Sequence, residues 1–154
     1  MKTDSEQTTS FSRRDLAVLL PFLAANAGAQ QPNAAPRVLQ AKTYSFGELA
    51  VHQSAGGAVK SRAVFDGVTT RGQRITAHFS ELAPGQAPHP PTRQKHEEII
   101  MLREGTLEVT LNGVLSTVGP GSVIFVPFGD LNGWKNVGTT VAQYFVVSIE
   151  ERTQ

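Results

Sequence analysis

Asn112-Gly113, between an alternating run at residues 106–111 and a return at 114–118, constrains the chain more than any other pair of residues. Both residues accept the positive φ that a type I′ turn requires, so the stretch predicts a two-residue β-hairpin. The same punctuation recurs throughout. Residues 74–82 alternate, with Ile75, Ala77 and Phe79 on one face and Thr76, His78 and Ser80 on the other. That spacing predicts a strand with one apolar side, which would leave His78 as a solvated or hydrogen-bonded surface histidine; His52 reads the same way. Further strands are predicted at 94–102, closed by the turn Arg103-Glu104-Gly105, and at 122–126, opened by Pro120-Gly121. Residues 127–133 read as a loop, and 141–149 as the most hydrophobic strand. Weaker strand patterns lie at 42–49 and 58–66, joined through Gly56-Gly57. No amphipathic stretch of helical period is long enough to compete, so the pattern is that of an all-β sandwich or barrel.

A length of 154 residues suffices for one domain with a real core. Basic and acidic residues nearly balance, at 14 and 13, and no basic stripe with interleaved aromatics is visible, which argues against nucleic acid as a partner. Cysteine is absent, so thiolate metal sites, thiol nucleophiles and disulfides are excluded together. His, Asp and Glu are left as the strong metal ligands. At the amino terminus Ser12-Arg13-Arg14-Asp15-Leu16 leads into an apolar run at 16–25 and small residues at Ala27 and Ala29, which resembles a twin-arginine signal peptide. The expected organisation is a signal peptide at 1–29, a linker at 30–37 and a β domain at 38–150, exported to the periplasm or beyond. The apolar run is much shorter than the ~20 residues needed to cross a bilayer, so no stable membrane anchor is expected after cleavage. The twin-arginine route carries folded proteins, often with a cofactor already inserted.

Chemistry-bearing residues gather at 85–105, which holds His89, His96 and the adjacent Glu97 and Glu98. A second stretch, 121–136, reads as a strand, a Pro/Gly turn and a polar return. Glu98 followed by six residues and Gly105 has the spacing of the right half of the first cupin motif. Gly121, Pro127, Gly129 and Asn136 stand in register with the second motif. The chain therefore resembles the cupin superfamily over residues 74–149, with the short inter-motif separation of small single-domain members of the type-2, RmlC-like kind. The resemblance implies a double-stranded β-helix, the cupin jelly-roll barrel, and suggests a homodimer formed through exposed sheet edges.

In that family two histidines and the glutamate of the first motif, with the histidine of the second, bind one divalent metal inside the barrel. Counting back from Glu98 places the two histidine positions at Thr92 and Gln94, and the second-motif position holds Asn132. Two site readings follow. In one, Thr92, Gln94, Glu98 and Asn132, with Trp134 over the mouth, line a cavity for a small polar molecule such as a sugar or an organic acid. A Glu98 buried there without a cation would be pushed towards its neutral form. In the other, Gln94, His96 and Glu98 share a strand face and His89 folds over the mouth. His89, His96 and Glu98 then supply two imidazoles and a carboxylate, a set that suits non-haem iron and is acceptable to manganese or zinc. Three functions stay open: a metal-free cupin that binds a small polar ligand, a metal-dependent dioxygenase or isomerase, and a structural or interaction barrel.

Overall fold

The computed structural model describes residues 37–150. The expected signal peptide, 1–29, lies outside the described residues, as does the linker apart from Arg37. Ten strands follow a single-turn 3-10 helix at Phe46–Glu48. They are β1 (His52–Gln53), β2 (Val59–Val68), β3 (Arg74–Leu82), β4 (Thr92–Arg93), β5 (Glu97–Glu104), β6 (Leu107–Leu111), β7 (Val114–Val118), β8 (Val123–Val126), β9 (Leu131–Asn136) and β10 (Ala142–Ile149). One sheet has the order β1-β2-β3-β10-β5-β8, the other β4-β9-β6-β7, and every pairing between these strands is antiparallel. This is the double-stranded β-helix that the resemblance implies.

The predicted hairpin is β6–β7. Asn112 and Gly113 have φ of 48° and 85°, and Leu111 pairs with Val114 across the turn. The Asn112 side chain also has a long-range task, since its Oδ1 accepts from Leu131 N at 3.0 Å and ties the turn to the start of β9. The weak pattern at 42–49 is not a strand. Phe46–Glu48 form the 3-10 turn instead, and Phe46 meets the Phe79 ring edge-on at 5.1 Å.

The interior is graded from apolar to polar along the strands. Directly opposed residues of antiparallel strands share a face, so the pairing Leu82↔Ala142 opens an inward series. The next row is Ser80, Tyr144 and Leu102, then His78, Val146, Ile100 and Ile124, then Thr76, Ser148, Glu98 and Val126. From the smaller sheet Leu107, Val109 and Trp134 close the core over these rows. Each fully buried aliphatic side chain here contributes roughly 1.5–3 kcal/mol relative to exposure. The charged and histidine-bearing positions collect at one end.

This arrangement reverses the expected orientation of β3. Its apolar residues Ile75, Ala77 and Phe79 face outward, and Thr76, His78 and Ser80 face the barrel. The reason is that the outer face of the larger sheet is itself apolar: Phe79, Phe145, Met101 and Val123 form one row, Phe65, Ala77, Val147, Ile99 and Phe125 the next. The Phe79 and Phe145 rings are 4.8 Å apart, and with Phe46 and Met101 they line a shallow groove of about 410 Å³. Met101 and Phe125 remain half exposed on that face. Both sheets end in short strands, β1 and β4 having two residues each.

Candidate functional site

The expected strand at 94–102 begins only at Glu97, after a bend that follows the two-residue β4. Gln94, His96 and Glu98 therefore do not lie on one strand face. The bend arises because β4 pairs with β9 in the smaller sheet whereas β5 pairs with β10 and β8 in the larger, so the chain must change sheets between Arg93 and Glu97. The corner is pinned from the second motif: Gly129 N donates to Gln94 O at 3.0 Å, and Arg93 Nη1 donates to Gly129 O at 2.8 Å. His96 nevertheless turns back, and its Nε2 donates to Glu98 Oε1 at 2.9 Å.

Glu98, Asn132 and Trp134 are 6%, 0% and 7% exposed, and all belong to the barrel interior. Asn132, Trp134 and Asn136 alternate along β9 and so share its inward face. Thr92 pairs with Asn132 in register, yet it is exposed, because β4 is a two-residue edge that no further strand among the described residues covers. Gln94 is half-buried. His89 lies on the proline-rich approach, where its Nδ1 donates to Pro90 O at 2.8 Å and its ring meets Trp134 nearly perpendicularly at 5.5 Å. Pro91 packs on Gly133, where a Cβ would come within 3.0 Å of it, so this approach lies against β9.

The polar atoms at this end of the barrel are incompletely partnered. Glu98 Oε2, both polar atoms of the Asn132 amide and Trp134 Nε1 are buried without a hydrogen bond. The Trp134 ring stands at 5.8 Å from that of Tyr144, almost perpendicular. Burial pushes the Tyr144 phenol up, and its polar neighbours Trp134 and Ser80 temper the shift. Trp134 Nε1 nonetheless meets that hydroxyl without the geometry of a hydrogen bond.

Strand parity alone does not identify His78 as part of this cluster. Its alternation with Ser80 was legible, but only the register of β3 on β10 and of β10 on β5 brings it into the interior near Glu98. Desolvation lowers the His78 pKa below its ordinary value of 6.5, and attraction to the Glu98 carboxylate opposes the shift without cancelling it. The sign of the linkage follows: the unfolded chain takes up a proton at His78 before the folded protein does. Stability is therefore unaffected by this group above about pH 7 and is lost as the pH falls below 6.5 towards the lower folded value. His78→Gln, which cannot be protonated, should remove that part of the acid sensitivity. Urea midpoints of the two proteins should then run parallel above pH 7, and below it the wild-type midpoint should fall relative to the variant's; parallel curves down to pH 5 would place His78 outside the polar interior.

The family's metal can be tested against these residues. At the expected ligand positions stand an exposed hydroxyl (Thr92), a half-buried amide (Gln94), a buried amide (Asn132) and one carboxylate, Glu98, with an oxygen already engaged by His96. Among the described residues no three His, Asp or Glu side chains converge on a common point, so His89, His96 and Glu98 do not form a coordination group. His89 is held at the Trp134 ring and Pro90, and His96 is held by Glu98. Iron, manganese and zinc favour imidazole and carboxylate ligands, and this set, mostly neutral oxygen, does not fit them.

Residues 78–148 match the family model described as a cupin domain. Over this stretch the chain is similar to cupin domains. The cupin fold also recurs in solved structures of low sequence identity. An RmlC-like cupin from Shewanella frigidimarina is 20% identical over 74% of this chain and 96% of its own, with a TM-score of 0.58. A predicted oxalate decarboxylase from Thermotoga maritima is 18% identical over 71% of this chain and 100% of its own, with a TM-score of 0.62. The cupin domain of Schizosaccharomyces pombe Cnp3 is 21% identical over 71% of this chain and 74% of its own, with a TM-score of 0.59. No curated protein matches the sequence. At these identities the likeness is one of fold, and this chain's own side chains must carry any functional reading.

Proposed function

We propose that this protein binds a small polar molecule inside its barrel, between Glu98, Asn132 and Trp134, without a resident transition metal. We further propose that the protein is exported through the paired arginines Arg13 and Arg14. The observation that supports the binding reading is the set of buried, unpartnered polar atoms on those three side chains. Leaving such a group bare costs roughly 1–3 kcal/mol. A barrel that served only to bury its own core would be more stable with apolar residues of similar size at Asn132 and Glu98, so the structural reading leaves these side chains unexplained. The dioxygenase or isomerase reading needs a metal that the donor set does not suit. The polar end instead offers a carboxylate oxygen, an amide and an indole N–H, which together fix the orientation of a small ligand.

The test is thermal denaturation of the full chain against sugars, alditols, organic acids and phenolics, alongside elemental analysis. A true ligand at a hundredfold excess over its Kd adds about 2.7 kcal/mol to the native state, a shift of several degrees. The expected result is a shift with at least one class and no stoichiometric iron, manganese or zinc. A full equivalent of any of these metals, or no shift with any class, would sink the proposal.

A further inference from the structure

The same four unpartnered atoms restrict the ligand's chemistry further, on the premise that the binding reading above holds. We infer that the ligand is an uncharged, multiply hydroxylated molecule of the sugar or polyol class, and not an organic acid. Glu98 Oε2 can only accept while ionised, and Trp134 Nε1 can only donate. Asn132 adds one donor and one acceptor, and reversing its amide leaves that balance unchanged. The site therefore asks for hydrogen bonds in both senses from one small molecule. Hydroxyl groups answer this directly, since each donates and accepts.

Charge excludes the acid. Among the described residues the buried polar side chains are Ser80, Glu98, Asn132, Asn136 and Ser148, with no lysine or arginine. Arg93 and Lys95, at the adjoining corner, are both exposed, and Arg93 directs Nη1 to Gly129 O. His96 already faces Glu98, and His78 is biased to its neutral form by burial. A ligand carboxylate would have to enter the interior with no free cation among the described residues to receive it, and an unpaired charge is costly in a desolvated site. A neutral hydroxyl donating to Glu98 Oε2 meets no such barrier.

The experiment is calorimetric titration of the full chain at pH 7.5 with matched pairs: neutral hexoses, pentoses and alditols, each beside its uronic or aldonic acid. The expected result is that at least one neutral member binds and its acid binds at least about tenfold more weakly. Glu98→Gln, nearly isosteric, should weaken the neutral ligand by about tenfold through loss of a charge-assisted hydrogen bond. Asn132→Leu should abolish binding while raising the melting temperature of the ligand-free protein, because two bare polar atoms are removed. An acid that binds as tightly as its neutral partner overturns this inference and leaves the binding reading intact. No binding by any member of either set, with both variants altering stability alone, means that water serves these atoms, and both readings fall.

Discussion

Asn136→Ala is expected to destabilise the domain by about 3–5 kcal/mol, the largest loss foreseen from removing any one polar side chain. Asn136 is fully buried at the end of β9, and its amide is used completely. Nδ2 donates to Leu82 O and to Thr140 O, each at 2.8 Å, and Oδ1 accepts from Gly138 N at 2.9 Å. Two acceptors and one donor surround it, so the orientation of the amide is determined by its partners. These bonds join β3, β9 and the turn into β10, and their loss leaves three backbone groups bare, each costing roughly 1–3 kcal/mol where water cannot reach it. Asn136→Asp tests the donor side by itself, since an isosteric carboxylate would press an oxygen against two carbonyls; it should be no milder than alanine. Denaturant unfolding measures both. A loss below about 1 kcal/mol for alanine would mean that water replaces the amide. The contrast with Asn132, four residues earlier and equally buried, is the clearest sign of what each residue does. One asparagine is hydrogen-bonded through both polar atoms, whereas the other has neither partnered.

Gly105→Ala should cost about 3–5 kcal/mol, combining strain with overpacking. Gly105 has φ of 88°, a conformation unfavourable to any residue with a Cβ, and an added Cβ would lie 2.7 Å from Ala142 Cα and 2.8 Å from Ala142 Cβ. Ala142 is fully buried at the start of β10, so it cannot yield without moving the strand that pairs with both β3 and β5. Gly121→Ala is the control. Gly121 has a similar φ of 85° but open space where its Cβ would be, so only the backbone term applies, about 1–2 kcal/mol. Equal losses at the two sites would show that the close approach to Ala142 contributes nothing.

These two residues also show how much of the molecule was legible beforehand. Gly105 and Asn136 were recognisable as motif positions, and both prove to be points where strands from different parts of the chain are locked. The β6–β7 hairpin was legible because Asn112-Gly113 dictates its own turn. The candidate site was less so. Glu98 and Asn132 were placed by spacing and do face the interior, whereas Thr92, placed by the same count, sits on an exposed edge. Residues 42–49 looked like a strand because their alternation is compatible with one, but Phe46 is drawn instead onto the rings of Phe79 and the outer sheet face.

What the sequence by itself determined is local: period-two alternation, turn chemistry and motif spacing specify which segments are strands and that they form an all-β barrel. Which face of each strand meets the barrel was decided only by the tertiary structure. Period-two alternation separates the two sides of a strand without saying which is inside, and here the outer face of the larger sheet is apolar while part of the interior is polar. The usual rule of apolar inside therefore assigned His78 to the surface. The register of β3 on β10 and of β10 on β5 placed it near Glu98, and the pairing of β9 with β6 brought Asn132 and Trp134 to the inner face of the facing sheet.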